Sequence, residues 1–335
     1  MKASRREFIK KSLLATAGIS YTLDSASSVY DITNVSNPHF ATYQSKSNDA
    51  FKISIFSKHL QWLDYGEMAK VAASLGFDGV DLTVRPNGHV LPERVTEDLP
   101  KAVAAIRGAG MNVYMITTAI KSAEDPFTEN ILKTASSLDI RHYRMGYLFY
   151  DEKINIEENL KNFKDQLSKL ALLNEKYSIQ GEYQNHSGMY FGASIWDLYS
   201  VLKQINSPWI GSQYDINHAT VEGASSWPIG FKLLKSHIKS IDIKDFFWTK
   251  KNSQWQVEYA PLGEGMVNFK EYFRLLKHYE INVPISVHYE YALGGAEHGA
   301  STLTISKEAV MSSMKKDLIR LKNFLAEEKL IDQTK

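Results

Sequence analysis

The chain has 335 residues, 44% of them hydrophobic and 23% charged, and carries no cysteine. That is enough chain for one large core or two small ones, and the lack of thiols excludes disulfides, thiolate metal sites and lipid-modified cysteine. With 39 basic against 38 acidic residues and a net charge of +1, no global field favours nucleic acid.

The first segment, residues 1–26, contains "SRREFIKKSLLATAGIS", where Arg5 and Arg6 precede Phe8 and a weakly apolar stretch from about Ser12 to Ile19. That stretch is too short to span a bilayer, and its layout is that of a twin-arginine export signal rather than a stable membrane anchor. Residues 27–48 are Ser/Asn/Thr-rich without a sustained period and read as a linker, with cleavage expected near Ala26. The expectation is export by the twin-arginine machinery, which carries folded proteins, and residence in the periplasm.

From residue 49 to about 330, short β-like runs alternate with amphipathic helical runs. "FKISIFS" precedes a helix in which Met68, Val71, Ala72 and Leu75 recur at helical spacing, and "FDGVDLTV" precedes "LPKAVAAIRGAG". "MNVYMITTAI" and "IRHYRMGYLFY" follow, the latter before a long helix with Leu160, Phe163, Leu167, Leu170 and Leu173 on one face. Four more runs, "IQGEYQNHSG", "WIGSQYDINHAT", "IKSIDIKDFFW" and "PISVHYEYALGG", each precede a helix. Strict alternation predicts a parallel sheet with crossover helices, and eight units predict closure into a single-domain (β/α)8 TIM barrel. A doubly wound open sheet would carry a Gly-rich phosphate loop after its first strand, and none is present. The aperiodic stretches around 85–98, 219–226 and 249–267 read as loops following strands.

The last four strands end in same-face pairs: Glu182 and Gln184, Gln213 and Asp215, Asp242 and Lys244, His288 and Glu290. Such groups are costly to bury alone, so they pair with one another, bind a cation, or line a water-filled mouth. Asp215 and His218 can share a metal or divide the work, with helix capping by Asp215 as the plain alternative. Asp242 and Lys244 are either a buried ion pair or a ligand beside a group that steadies an oxyanion. In the first half, His59, Arg85, His89 and Arg144 are candidate substrate contacts, and the two arginines suit hydroxyls or a carboxylate.

With "LGFDGVDL", "YQNHSG", "YDINHA", "IKDF" and "HYEY" in place, residues 50–330 resemble the sugar phosphate isomerase/epimerase superfamily. These xylose-isomerase-like barrels include endonuclease IV and the ketohexose 3-epimerases. The resemblance implies one divalent cation, Mn²⁺ or Mg²⁺, held at positions matching Gln184, Asp215, Asp242 and either His288 or Glu290. It also implies substrate contact by His218 and proton transfer beside a metal-polarised carbonyl. The family's "ENH" reads "QNH" here, and a Gln amide cannot act as a base, so Glu182 or His186 would take over beside Glu290 and His288. Lys244 would contact the substrate. The function implied is an isomerase or epimerase of a non-phosphorylated sugar or glycoside. Its alternatives are a lyase that eliminates the aglycone from a 3-keto-glycoside, and a non-catalytic carbohydrate-binding protein on the same scaffold. A DNA-directed role lacks both the full set of metal histidines and a basic stripe.

Overall fold

A computed structural model describes residues 51–332, so the expected export signal and linker lie outside the described residues. Eight strands carry the barrel: β1 (Ile53–Phe56), β2 (Gly79–Val84), β3 (Asn112–Thr118), β4 (His142–Arg144), β5 (Gln180–Gln184), β6 (Ile210–Asp215), β7 (Ile238–Ile243) and, after an excursion, β10 (Ile285–Val287). They close in the order β1-β10-β7-β6-β5-β4-β3-β2, with parallel pairing at every seam. The predicted (β/α)8 TIM barrel is the fold.

Two departures from strict alternation occur, both after strands that reach the mouth. Between β6 and β7 stand two short helices instead of one, α6 (Ile216–Gly223) and α7 (Trp227–Leu234). After β7, the stretch read as a loop contains an antiparallel hairpin, β8 (Asp245–Lys251) with β9 (Gln254–Ala260). Its turn residues Asn252 and Ser253 both have positive φ, 50° and 64°, as a two-residue hairpin turn requires.

The other helices are α1 (Tyr65–Leu75), α2 (Val95–Gly108), α3 (Thr128–Ser137), α4 (Ile156–Tyr177), α5 (Ile195–Ile205), α8 (Phe269–His278) and α9 (Lys307–Glu327). Local sequence sets their limits. Asp64 accepts the Glu67 N–H at 2.8 Å to start α1, Asn155 accepts the Glu158 N–H at 2.7 Å to start α4, and Gly76 ends α1 at φ 97°. Among the described residues, no helix is long and apolar enough to cross a membrane.

Strand residues divide between two environments. Val80, Leu82, Ile116, Ile241, Ile285 and Val287 are buried beneath the helices, and so are three tyrosines that carry their hydroxyls into this layer. Tyr143 donates to Asn174 of α4 at 2.8 Å, Tyr289 to the Met314 carbonyl of α9 at 3.0 Å, and Tyr214 stacks on Tyr272 of α8. The barrel interior is instead polar, unlike the layered branched aliphatics common in this architecture. Asp81 on β2 accepts Thr117 at 2.9 Å and Ser286 at 2.7 Å, tying β2 to β3 and, past the intervening β1, to β10. Burial pushes the Asp81 carboxyl up to about 6, with the Ser286 hydrogen bond opposing.

Candidate active site at the barrel mouth

Gln184 ends β5 and organises the mouth. Its side-chain oxygen accepts Arg144 Nη1 at 2.9 Å and the Tyr147 hydroxyl, while its NH₂ donates to Asp215 at 2.8 Å and to Asp242. Every hydrogen-bonding capacity of the amide is used. The neighbours also fix its orientation, because flipping it would press NH₂ against the Arg144 guanidinium, donor to donor.

Asp215 serves two purposes at once. One oxygen caps α6 by accepting the His218 N–H at 3.1 Å, and the other meets both the Gln184 amide and the Lys244 ammonium, 2.8 Å away. Lys244 is only 5% exposed. Burial opposes its charge, but the Asp215 carboxylate outweighs this and raises its pKa above the ordinary value. Of the two alternatives for Asp242 and Lys244, the mutual ion pair does not form: Lys244 pairs with Asp215, and Asp242 with Gln184 and His288. His288 Nε2 lies 3.3 Å from Asp242 Oδ1, in electrostatic contact but off hydrogen-bond alignment.

Glu290 closes the other side. Lys58 Nζ contacts both its oxygens at 2.9 Å, and His288 Nδ1 stands 3.8 Å away. Burial alone would raise its pKa, yet His288, Lys244 and Lys58 hold the Glu290 carboxyl far below the usual carboxylate range. For His288, burial lowers the pKa and the Asp242 carboxylate more than compensates, so the net direction is upward. Phe56 lies under this group, stacked on His288 with ring centroids 4.4 Å apart. Arg85 and Arg144 sit over the same ring at 5.4 and 5.5 Å, within cation–π range. A cleft of about 380 Å³ opens beside them, lined by Lys58, Arg85, Asn87 and His298 among others.

On the β5–β6 side, His186 and His218 pack ring to ring with centroids 3.9 Å apart, and Tyr147 abuts His186. The His218 Nδ1 meets the Ser187 hydroxyl at 2.9 Å. Burial, reinforced by Lys244, brings His186 down to about 4 and His218 well below its ordinary value, so both rings are neutral at pH 7.

Three expected site residues take other roles. Glu182, expected as an alternative base, lies one layer below the mouth, where its oxygens are held by His142 Nδ1 at 2.6 Å and by the Ser240 hydroxyl; it is fully buried. His59, expected to contact substrate, has its Nδ1 3.1 Å from the Ala296 carbonyl, while its Nε2 accepts the Tyr289 N–H at 3.0 Å. His89 is engaged the same way, between Thr83 Oγ1 at 3.3 Å and the Leu60 carbonyl at 3.2 Å. Both histidines pin loops rather than offer a free nitrogen. Lys58, Phe56 and Tyr147 enter the site without having been singled out in sequence. A lysine immediately after the first strand was the available signal for Lys58, but its partner lies 232 residues away.

The expected Mn²⁺ or Mg²⁺ ligands Gln184, Asp215, Asp242 and Glu290 gather at one mouth, but their free valences do not fit a cation. Gln184 turns an NH₂ rather than an oxygen toward the two aspartates, Lys244 already neutralises Asp215, both Glu290 oxygens hold Lys58, and the one oxygen left without a hydrogen bond, Asp242 Oδ1, faces the His288 ring at 3.3 Å. The donors of His59, His288 and Glu290 do lie within 4.8 Å of one another. The His59 lone pair, however, is taken by the Tyr289 N–H.

Comparison with known proteins agrees with the fold. Residues 69–306 match the family model described as xylose isomerase-like TIM barrel. No curated protein sequence matches the chain. Among solved structures, D-psicose 3-epimerase from Clostridium cellulolyticum H10, determined with D-tagatose, superposes with a TM-score of 0.63 at 14% identity, covering 82% of this chain and 99% of that one. The 3-keto-D-glucoside 4-epimerase from E. coli gives 0.59 at 12% identity, with 80% and 99% covered. A xylose isomerase-like TIM barrel protein from Mycobacterium smegmatis in complex with magnesium gives 0.60 at 11% identity, with 83% and 97% covered. At these identities the likeness establishes the fold.

Proposed function

The chain belongs to the xylose isomerase-like TIM barrel family, and from that premise we propose that it is an exported enzyme that removes a proton beside the carbonyl of a non-phosphorylated sugar or glycoside. The observation that carries this reading is a set of buried polar atoms around the mouth that make no aligned hydrogen bond: Arg144 Nε, His218 Nε2, which stands 3.6 Å from Asp215, and the facing atoms Asp242 Oδ1 and His288 Nε2, 3.3 Å apart. Donors and acceptors are mixed among them, and a sugar hydroxyl, which both gives and takes a hydrogen bond, satisfies either kind.

Two groups are suited to move the proton. The Glu290 carboxylate is held by Lys58 and regains its basicity when Lys58 turns to the substrate, and His186 is neutral with a lone pair. They come from β10 and β5, strands separated in the barrel by β7 and β6. One takes the proton from the carbon next to the carbonyl, and the C–H electron pair becomes the double bond of an enediolate whose oxygen carries the charge. Returning a proton from the other side gives an epimer, and returning it to the neighbouring carbon gives an isomer. Sugar epimerases among the structural neighbours support this class.

A second reading, elimination from a 3-keto-glycoside, is favoured by Lys58. Burial lowers the pKa of its ammonium, which makes it a better proton donor to a departing alkoxide, and it adjoins Glu290. Incubation with keto-sugars and keto-glycosides in D₂O separates the two. Deuterium in an intact sugar is expected for epimerisation and release of aglycone for elimination. Either activity should fall about 10²–10⁴-fold in Glu290→Gln, whereas sugar binding with neither activity would make the chain a binding protein. Export rests on Arg5 and Arg6; replacing both with Lys should strand the protein in the cytoplasm on cell fractionation, and unchanged periplasmic recovery would refute that assignment.

A further inference from the structure

The site's carboxylate oxygens face hydrogen-bond donors and ammonium groups where a cation would need lone pairs, except Asp242 Oδ1, which faces the His288 ring at 3.3 Å. We infer that this barrel works without a divalent cation, the Gln184 amide and the Lys244 ammonium together standing where an ion would lie between Asp215 and Asp242. The inference rests on the proposed sugar chemistry only for the final step, the use of Lys244 on a carbonyl.

Three independent contacts support it. The Gln184 NH₂ bridges Asp215 and Asp242, and its orientation is dictated from behind by Arg144 and Tyr147, so ion loading would require breaking both of those bonds. The Lys244 ammonium supplies the positive charge at 2.8 Å from Asp215. Glu290, the remaining carboxylate of the expected set, has both oxygens on Lys58. A Mn²⁺ or Mg²⁺ ion prefers oxygen ligands and would place its charge against two ammonium groups and a guanidinium.

The consequence for the chemistry is that the electrophile is a proton donor. An ammonium can hydrogen-bond an enediolate oxygen and stabilise its charge within a buried pocket. Its three donors exceed what Asp215 consumes, which leaves capacity for substrate.

The test measures metal directly and needs no turnover. Protein purified without chelator is analysed for elements, then titrated with Mn²⁺ while free ion is followed by electron paramagnetic resonance and stability by thermal unfolding. The expected result is no stoichiometric ion and no change in Tm. In Gln184→Glu, which replaces the amide donors with a carboxylate, Mn²⁺ in about 100-fold excess over Kd should raise Tm by about 5–10 °C. Stoichiometric Mn²⁺ in the parent protein, or a Tm that falls on adding chelator, overturns the inference even if Gln184→Glu fails to fold. A folded Gln184→Glu that gains no ion overturns the role given to the amide. Where a turnover assay exists, Lys244→Met should lose activity at least about 10²-fold with no rescue by Mn²⁺, and rescue would count against the ammonium. Loss of the sugar activity altogether would leave the binding results standing, so failure of the functional reading and failure of this inference are separate outcomes.

Discussion

His59 stands next to Lys58, which reaches the mouth, yet its own ring is sealed away and bonded at both nitrogens to backbone groups at Tyr289 and Ala296. It fastens the turn after β1 to the segment after β10. His59→Ala should therefore cost about 2–4 kcal/mol in urea unfolding, from lost volume and two unpaired backbone groups. Unchanged stability with weakened sugar binding would return it to the substrate-contact role. Its part could not be read from sequence because the bonding partners are 230 residues and more away. The same limit applied to Gln184, where residue type and strand position were legible from "YQNHSG" but the direction of the amide was not. That direction depends on Arg144, expected from sequence only as a substrate contact, and on Tyr147, which sequence did not single out; they lie 40 and 37 residues from Gln184.

At the level of elements, the hairpin β8–β9 hangs on one side chain. Asp245 is buried, and its carboxylate accepts the backbone N–H groups of Phe246, Gly263, Gly265 and Val267 at 2.9–3.1 Å. Gly265 is required in this arrangement, since a Cβ there would collide with the Asp245 carboxylate and the Phe246 carbonyl. Asp245→Ala should leave the barrel strands protected but raise amide hydrogen exchange across residues 245–267, because several buried N–H groups lose their acceptor. Uniform exchange in both proteins would show that the ribbon holds itself. The hairpin was legible in retrospect: Phe246, Trp248 and Lys250 alternate on one side of Asn252–Ser253, and Trp255, Val257 and Tyr259 on the other. Reading for helix period after a parallel strand masked that two-residue alternation. The eight barrel strands, by contrast, announced themselves because each is short, apolar on its outer face, and followed by a helix of the right period.

For the molecule as a whole, acid–base balance is set by groups the fold desolvates. Burial pushes the carboxyls of Asp81, Asp197 and Asp317 up to about 6. A carboxyl whose folded pKa is raised keeps its proton while the unfolded chain releases one, so its stabilising effect is complete below about pH 4 and is lost as pH rises through about 6. Asp317, which accepts the Tyr291 hydroxyl at 3.0 Å, offers a clean test away from the mouth. Asp317→Asn should gain in Tm relative to the parent as pH climbs from about 4 to about 7, by calorimetry at matched ionic strength; a constant difference over that window would contradict the assignment. The neutral histidines of the mouth pull the opposite way, since unfolding on the acid side lets them take up protons. The barrel also separates framework from periphery. The ribbon leaves β7 and comes back to the Asp245 carboxylate, so its two stems are tied at one point and its outer end, with Trp248 and Trp255 exposed, belongs to no barrel seam. Such a ribbon is a cassette with a fixed base and a free tip: the tip can be shortened or re-decorated, whereas Tyr259 at the base lies in electrostatic contact with Lys244 and Glu290 and ties the ribbon to the mouth.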